Sequence, residues 1–581
     1  MRSRRTLVAV ATLAAAVMLG GCVGIPTDGP VVETQSGGGD AGDPGVYIDP
    51  RPPQTGDTRA GIVQGFLAAM QATPIQTNTA REFLTEDAAA SWTPDDETIT
   101  YAGTPRVTES GVGVSVSLSD PVRLDAQGAW QGPLPRGRHT FEVPMAFEDG
   151  EWRIDRAPNA LIVPESWFAR RYRQVSLYYF DPTASILAPE PVYVPTGKQL
   201  ASTLTQALLL GPGEGLDRVV RSFIPPGLTN FSVPISDEGV ADIALKGDAG
   251  DLTPQSIELM MAQLAWTLRQ ETAIEALRVS IDGEAVPLPG GVSAYRVDGG
   301  SEYDPSGWQA SPLLYGLRDG RLASGTDGTL EPVSGPMGAD ALGVRSVGVS
   351  LTASRAAGVS DDGSSVVVAP VSGTEEGEVR TVVTGATDLL KPAWDASDRM
   401  WLVDRTAAGA VVSYVDGQRH HELDVPGVSG RQVRGFVVSR DGTRLIAVVR
   451  TPAGDVLRLS RVARDRSGRV LWATPARRIS GDPDRDLPIR AIAWRRPTLL
   501  GILSPFASTS LAQLHAASVD GSPAPDGSST TREGPVRSLA GSPAADDPLL
   551  GVSRRALTNL SADGRQTLPV AEGTTGITYV G

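Results

Sequence analysis

The chain is 581 residues long, carries 52 Lys and Arg against 67 Asp and Glu for a formal charge of −15, and contains one cysteine. An acidic exterior repels nucleic acid and anionic headgroups, which excludes DNA or RNA partners and a basic membrane patch, and a lone thiol forms no disulfide within the chain. Hydrophobic residues make up 40% of a sequence with 65 Gly and 45 Pro, the composition of folded domains, and the length allows about four of them.

The N-terminus places Arg2, Arg4 and Arg5 ahead of an uncharged apolar run from Leu7 to Leu19. That run is shorter than the ~20 residues a spanning helix needs and fits a secretory signal. Gly20, Gly21 and Cys22 follow, and the stretch LGGC resembles the lipobox of bacterial lipoproteins. The resemblance implies a signal peptide over residues 1–21, cleavage between Gly21 and Cys22, and S-diacylglyceryl and N-acyl groups on Cys22. An ordinary secretion signal beside a stray cysteine explains the position and uniqueness of Cys22 less well. Loss of three arginines leaves 52 − 3 = 49 bases against 67 acids, a mature charge of −18. Ser3 to Leu7 faintly resembles a twin-arginine signal, so both export routes stay open. Residues 22–56 are dense in Gly, Pro, Asp and Ser without any period, a flexible tether reaching ~30 Å as a coil.

Over residues 57–168 the pattern is helical and then strand-like. Ile62, Val63, Phe66, Leu67 and Met70 share one helical face, and TAREFLTEDAAASW reads as a second helix. VGVSVSLSDPVRL, TFEVPMAFEDG and EWRIDRAP alternate with period two, as half-buried antiparallel strands do. Two helices before a curved sheet resemble an NTF2-like α+β domain. His139 stands alone in a Pro/Gly/Arg-rich loop and reads as structural.

Residues 171–290 carry strands at QVSLYYFD and EPVYVP, a helix at GKQLASTLTQALLLGP, a long helix at TPQSIELMMAQLAWTLRQET and a closing strand at ALRVSIDGE. Thr253 is placed to cap the long helix, Pro254 suits its first turn, and Ile257, Met260, Met261, Leu264 and Leu268 form its apolar stripe. Trp266 falls opposite Ile257 and reads either as packing under a loop or as a contact surface. The Gly211–Gly215 cluster follows a helix and lacks Lys, so it is a helix stop and not a phosphate loop. The order, with LLLGP before SFIPPG and AQLAWTLRQ before Asp282-Gly283, resembles a GerMN domain.

Residues 310–581 consist of short strands separated by eight Asp-Gly pairs between Asp319 and Asp563. VSDDGSSVVVA, VSRDGTRLIAVV and LSADGRQTLPV repeat a Ser-x-Asp-Gly signature, with weaker copies at Trp394 and Trp494. Steps from Ser360 to Trp394, Ser439, Trp494 and Ser542 are 34, 45, 55 and 48 residues. They bracket a propeller-blade period, so an all-β propeller of five to seven blades, resembling the TolB-like kind, is expected. A β-sandwich explains the long period poorly.

Catalytic constellations are missing: the sequence has no Gly-x-Ser-x-Gly, no Ser-x-x-Lys at Lys198, Lys246 or Lys391, and no zinc spacing among His139, His420, His421 and His515. His420-His421 reads as a turn pair. Asp482, Asp484 and Asp486 imitate an EF-hand start, but Leu487 and Ala493 occupy positions that need Gly and Glu. No enzyme, cofactor or metal is expected. Lipobox, NTF2-like region, GerMN domain and propeller in this order resemble the LpqB lipoproteins of actinobacteria over essentially the whole mature chain. The resemblance implies a protein lipid-anchored on the extracytoplasmic face of the cell membrane. It also implies an accessory of the MtrA–MtrB two-component system whose partner is the extracytoplasmic domain of the sensor kinase MtrB, with effects on cell-wall homeostasis and division. The alternative is an envelope lipoprotein that binds glycan, peptide or lipid, or assists assembly, without a kinase.

Overall fold

The computed structural model describes residues 50–73, 75–111, 113–197, 199–213, 215–373, 379–479, 488–505, 511–524, 530–533, 536–561 and 566–581. Gly21, Cys22, the signal segment and the tether through residue 49 lie outside the described residues, as do Lys198, Asp482, Asp484 and Asp486.

The first module begins with helix α1 (Arg59–Ala69), whose amide at Gly61 is capped by the Thr58 hydroxyl at 3.1 Å. Ile62, Val63, Phe66, Leu67 and Met70 are all buried, as their spacing requires. The second helix expected over 79–92 is two pieces, α2 (Asn78–Arg81) and α3 (Glu86–Ser91). Thr85 breaks it: its backbone is extended, its amide donates to the Ile154 carbonyl at 2.9 Å, and its hydroxyl caps Ala88 at 3.3 Å. A threonine offered both a cap and a strand partner leaves the helix.

The sheet contains β1 (Glu97–Ser110), β2 (Gly113–Asp125), β3 (Trp130–Pro133), β4 (Thr140–Glu148), β5 (Glu151–Ile154) and β6 (Leu161–Pro164). Its order is β5-β4-β2-β1-β6, with β3 also on β2. Strand β1 is hidden in the sequence because Gly103 to Pro105 interrupts the alternation. The sheet absorbs that interruption as register shifts between Thr100 and Arg106, which bend it over the helices. His139 sits in the loop before β4, its Nε2 2.9 Å from the Leu134 carbonyl oxygen.

Helix α4 (Glu165–Arg171) runs without a break into β7 (Tyr172–Phe180), so the expected boundary near 168–171 falls inside one helix. The second module continues with β8 (Leu187–Pro195), α5 (Leu200–Leu209), β9 (Val240–Leu245), α6 (Pro254–Leu268), β10 (Ala276–Ile281), β11 (Glu284–Ala285) and β12 (Tyr295–Arg296). Strands β9 and β10 pair in parallel through α6, while β7 and β8 form a separate antiparallel hairpin. Thr253 caps α6 by accepting from the Ser256 amide at 3.2 Å. Its predicted stripe is buried, and so are Leu259, Ala262, Gln263 and Trp266 on the opposite side. The hairpin lies across that side, with the Tyr178 amide donating to the Thr267 hydroxyl at 3.2 Å. Trp266 Nε1 donates to the Gly300 carbonyl at 2.9 Å, so the indole is packing beneath a loop. Gly211, at φ 77°, ends α5 as a helix stop.

The third module is a ring of six sheets among the described residues. Its inner strands, Val344–Val349, Ala393–Trp394, Val433–Val438, Ala491–Arg496 and Ser538–Ala540, stand beside one another in sequence. The C-terminal strand Thr574–Thr578 takes the sixth inner place by pairing with Leu314–Arg318 of the first blade, so the ring closes on itself and leaves only the short outer edge of each blade.

The Ser-x-Asp-Gly fragments are not at equivalent blade positions. Ser439 follows an inner strand, Ser360 ends a second strand, and the fragment at 560 follows a third strand. The signature is a hairpin device: Ser360 and Ser439 hydroxyls donate to Asp362 and Asp441 at 2.7 and 2.8 Å, closing a tight turn wherever one is needed. That misalignment produces the short 34-residue step. Trp394, Ser439, Trp494 and Ser542 do mark inner strands or the turns just after them.

Candidate functional site at the junction of the three modules

The hairpin β7–β8 joins the modules, and it brings two carboxylates into a row of buried arginines. Asp181, at the hairpin bend, accepts from the Ser185 and Ile186 amides at 2.8 and 3.1 Å, which fixes the turn. Its other oxygen lies 3.4 Å from Arg464 of the fourth blade. Glu190 on β8 accepts from Arg444 at 2.7 Å and holds Arg461 through both oxygens, at 2.7 and 2.6 Å. Arg444 also pairs with Asp441 at 3.2 Å and donates to the Pro189 carbonyl. Next to this row, Arg399 pairs with Asp395 at 3.2 Å and donates to the Gly468 carbonyl at 2.7 Å. Side chains of Arg444, Arg464, Asp181 and Asp395 are all but sealed from water. Charges so buried persist only because each is paired and hydrogen-bonded.

Burial pushes the Asp441 carboxyl up, but Arg444 and hydrogen bonds from Thr443 and Ser439 outweigh it and hold the group below its ordinary 3.8. A depressed folded-state value means stability that is present above the unfolded value and lost as pH falls through the folded one. Urea titrations of the whole protein are therefore expected to show stability falling with acid below pH 3.8, with a shallower acid slope in Asp441→Asn. An unchanged slope in that variant would remove Asp441 from the network.

The first module meets the same hairpin through backbone. Gly128, at φ 79°, approaches so closely that a Cβ would collide with the Tyr193 carbonyl, and its own carbonyl accepts from the Tyr193 amide at 2.8 Å. The ring of Tyr193 lies 5.9 Å from Trp130 and 5.3 Å from Phe168. On the propeller side, Gln174 of β7 donates to Ser518, Asp520 and Ser522. Between these contacts a cleft of about 280 Å³ opens, walled by all three modules, with Asp125, Trp130, Glu190, Arg461 and Arg477 among its lining.

Of these residues sequence singled out only Asp441, as part of a turn signature, and none for its charge partners. Glu190 stands between two prolines and Arg444 heads an apolar strand; a charge within a buried strand was the available signal, and its partners lie more than two hundred residues away. The histidines do not converge. His420 and His421 lie exposed on the strand Arg419–Glu422 and not in a turn, with His421 stacked on Tyr414 at 5.0 Å. Among the described residues no group of three His, Cys, Asp or Glu is arranged to hold a metal, and no helix is long and apolar enough to cross a membrane.

Comparison with known proteins matches each module. The family model for the LpqB N-terminal domain matches residues 52–169, that for the Germane domain, described as sporulation and spore germination, matches 176–287, and that for the LpqB beta-propeller domain matches 320–576. Lipoprotein LpqB of Thermobifida fusca is 33% identical over 428 residues, covering 70% of this chain and 67% of its own. Lipoprotein LpqB of Streptomyces coelicolor is 28% identical over 613 residues, covering 99% and 98%. Among solved structures, the first GerMN domain of the sporulation protein GerM from Bacillus subtilis is 20% identical and covers 21% of this chain and 97% of its own, at a TM-score of 0.18. With the modules matched in order and a relative at that identity over two thirds of its length, the chain belongs to the LpqB lipoprotein family.

Proposed function

We propose that this protein is a non-catalytic accessory of the MtrA–MtrB two-component system, anchored through Cys22 on the extracytoplasmic face of the cell membrane. The observation that carries the reading is the junction. Buried ion pairs from β7–β8 to the propeller, and backbone contacts from Gly128 to Tyr193, join the three modules into one compact unit, which we take to move as one body. A rigid body on a lipid tether acts by presenting a surface: the anchor raises its effective concentration near a kinase ectodomain, and contact favours one conformation of that ectodomain. The family assignment supports the reading.

Two measurements test it. Cys22→Ser is expected to release the protein into the medium or leave an unprocessed precursor; a variant that is fully processed and fully membrane-retained would refute the anchor. Calorimetric titration of the purified protein against the extracytoplasmic domain of MtrB is expected to give saturable one-to-one binding at micromolar affinity. No complex, in solution or with both proteins on one vesicle, would refute the kinase role.

A further inference from the structure

The cleft between the modules has a chemistry that no module has alone. Its volume of about 280 Å³ falls just short of the about 300–1,000 Å³ of small-molecule sites, which concentrate where domains meet. On one wall Asp125 is held rigidly, Oδ1 accepting from the Gln127 and Ala129 amides at 3.0 and 2.9 Å and Oδ2 from Gln131 Nε2 at 2.6 Å. Beside it Trp130 presents a half-buried ring. On the facing propeller wall Arg477 donates only to neutral carbonyls, Asp520 at 2.7 Å and Val519 at 3.3 Å, and among the described residues no carboxylate pairs with it. Neighbouring Arg461 is already held by both oxygens of Glu190. Desolvation, and then the repulsion of Arg461, pull the Arg477 guanidinium down to about 10 against the opposing attraction of Asp520 and Glu190, neither of which reaches it as an ion pair.

One free guanidinium facing fixed acceptors and an aromatic plate selects a ligand. A phosphate-rich ligand is disfavoured because Asp125, Glu190 and Asp520 share the walls. An apolar ligand would leave those groups unpaired. A polymer exceeds the volume. We propose that this cleft binds one ring of a sugar acid, its carboxylate against Arg477, its hydroxyls against Asp125 and Gln131, and its apolar face on Trp130. The proposal does not rest on the kinase role.

The test is calorimetric and saturation-transfer titration of the full chain in detergent with N-acetylmuramic acid, N-acetylglucosamine and acetate. N-acetylmuramic acid is expected to bind with Kd of about 1 mM or tighter, and N-acetylglucosamine, which lacks the carboxylate, about tenfold more weakly. Arg477→Gln, which gives up its hydrogen bonds to the Asp520 and Val519 carbonyls, is expected to erase that difference in protein that still melts cooperatively, and Trp130→Ala to weaken both sugars. No binding of either sugar at roughly 10 mM would overturn the proposal. Acetate binding as well as the sugar acid would mean a bare anion site and overturn it too, as would unchanged discrimination in Arg477→Gln.

Discussion

Glu190→Ala is expected to destabilise the protein by about 3–5 kcal/mol, because it removes one partner of a buried charge cluster and leaves the others in place. Arg444 is fully buried and Arg461 partly buried. Both direct guanidinium donors at Glu190, and no nearby group replaces it: the remaining acceptors of Arg444 are Asp441 and a backbone carbonyl. The loss falls on the contact between the second and third modules, while each module keeps its own hydrophobic core. Denaturation followed by tryptophan fluorescence should therefore change from one transition to two, as the propeller and the N-terminal pair lose their coupling. Combining Glu190→Ala with Arg461→Ala should cost less than the sum of the two, with a coupling of about 0.5–3 kcal/mol as expected for directly contacting groups. A single variant within about 0.5 kcal/mol of the parent, melting in one step, would show that the ion pairs do not hold the modules together.

The contrast between Glu190 and Trp266 shows what the sequence reveals. Local signals survive into the fold: Thr58 and Thr253 cap helices, Gly211 ends one, and the apolar spacings of α1 and α6 bury the expected residues. These features depend on neighbours within a few positions, so pattern alone reaches them. Trp266 lies off the predicted stripe, and its burial depends on Gly300, thirty-four residues on. Strand β1 was masked by Gly103 and Pro105, whose irregularity is resolved only by pairing with β2. Ser-x-Asp-Gly showed that turns exist without showing where in a blade each falls, because the same hydrogen bond closes the turns at Ser360 and Ser439 on different strands. The junction was the least legible part. Asp181 and Glu190 meet arginines from 444 to 464 only once a ring of six sheets and a hairpin are both in place, and no spacing encodes that.

Ending the chain at Gly573 is expected to unfold the propeller. The segment Thr574–Gly581 supplies the inner strand of the first blade, and Ile577, Tyr579 and Val580 on it are buried. Burying a large apolar side chain is worth about 1.5–3 kcal/mol, so three of them contribute roughly 6 kcal/mol before any ladder hydrogen bonds are counted. That is comparable with the whole stability of a typical domain, about 5–15 kcal/mol. Loss of the strand also bares the edge of Leu314–Arg318, an unpaired strand that invites aggregation. Ring closure makes the effect cooperative: the inner strands contact one another in order, and Ser538–Ala540 loses its neighbour when Thr574–Thr578 is gone. Limited proteolysis should cut the truncated protein first between residues 314 and 332 and in the last blade. The first two modules, with cores of their own, should persist as a resistant fragment. A synthetic peptide spanning residues 574–581, added in trans, should restore part of the lost protection by refilling the same edge. Unchanged melting and cleavage in the truncated protein would mean that the last strand decorates a ring already closed by other contacts, and the closure argued from its pairing with Leu314–Arg318 would be wrong.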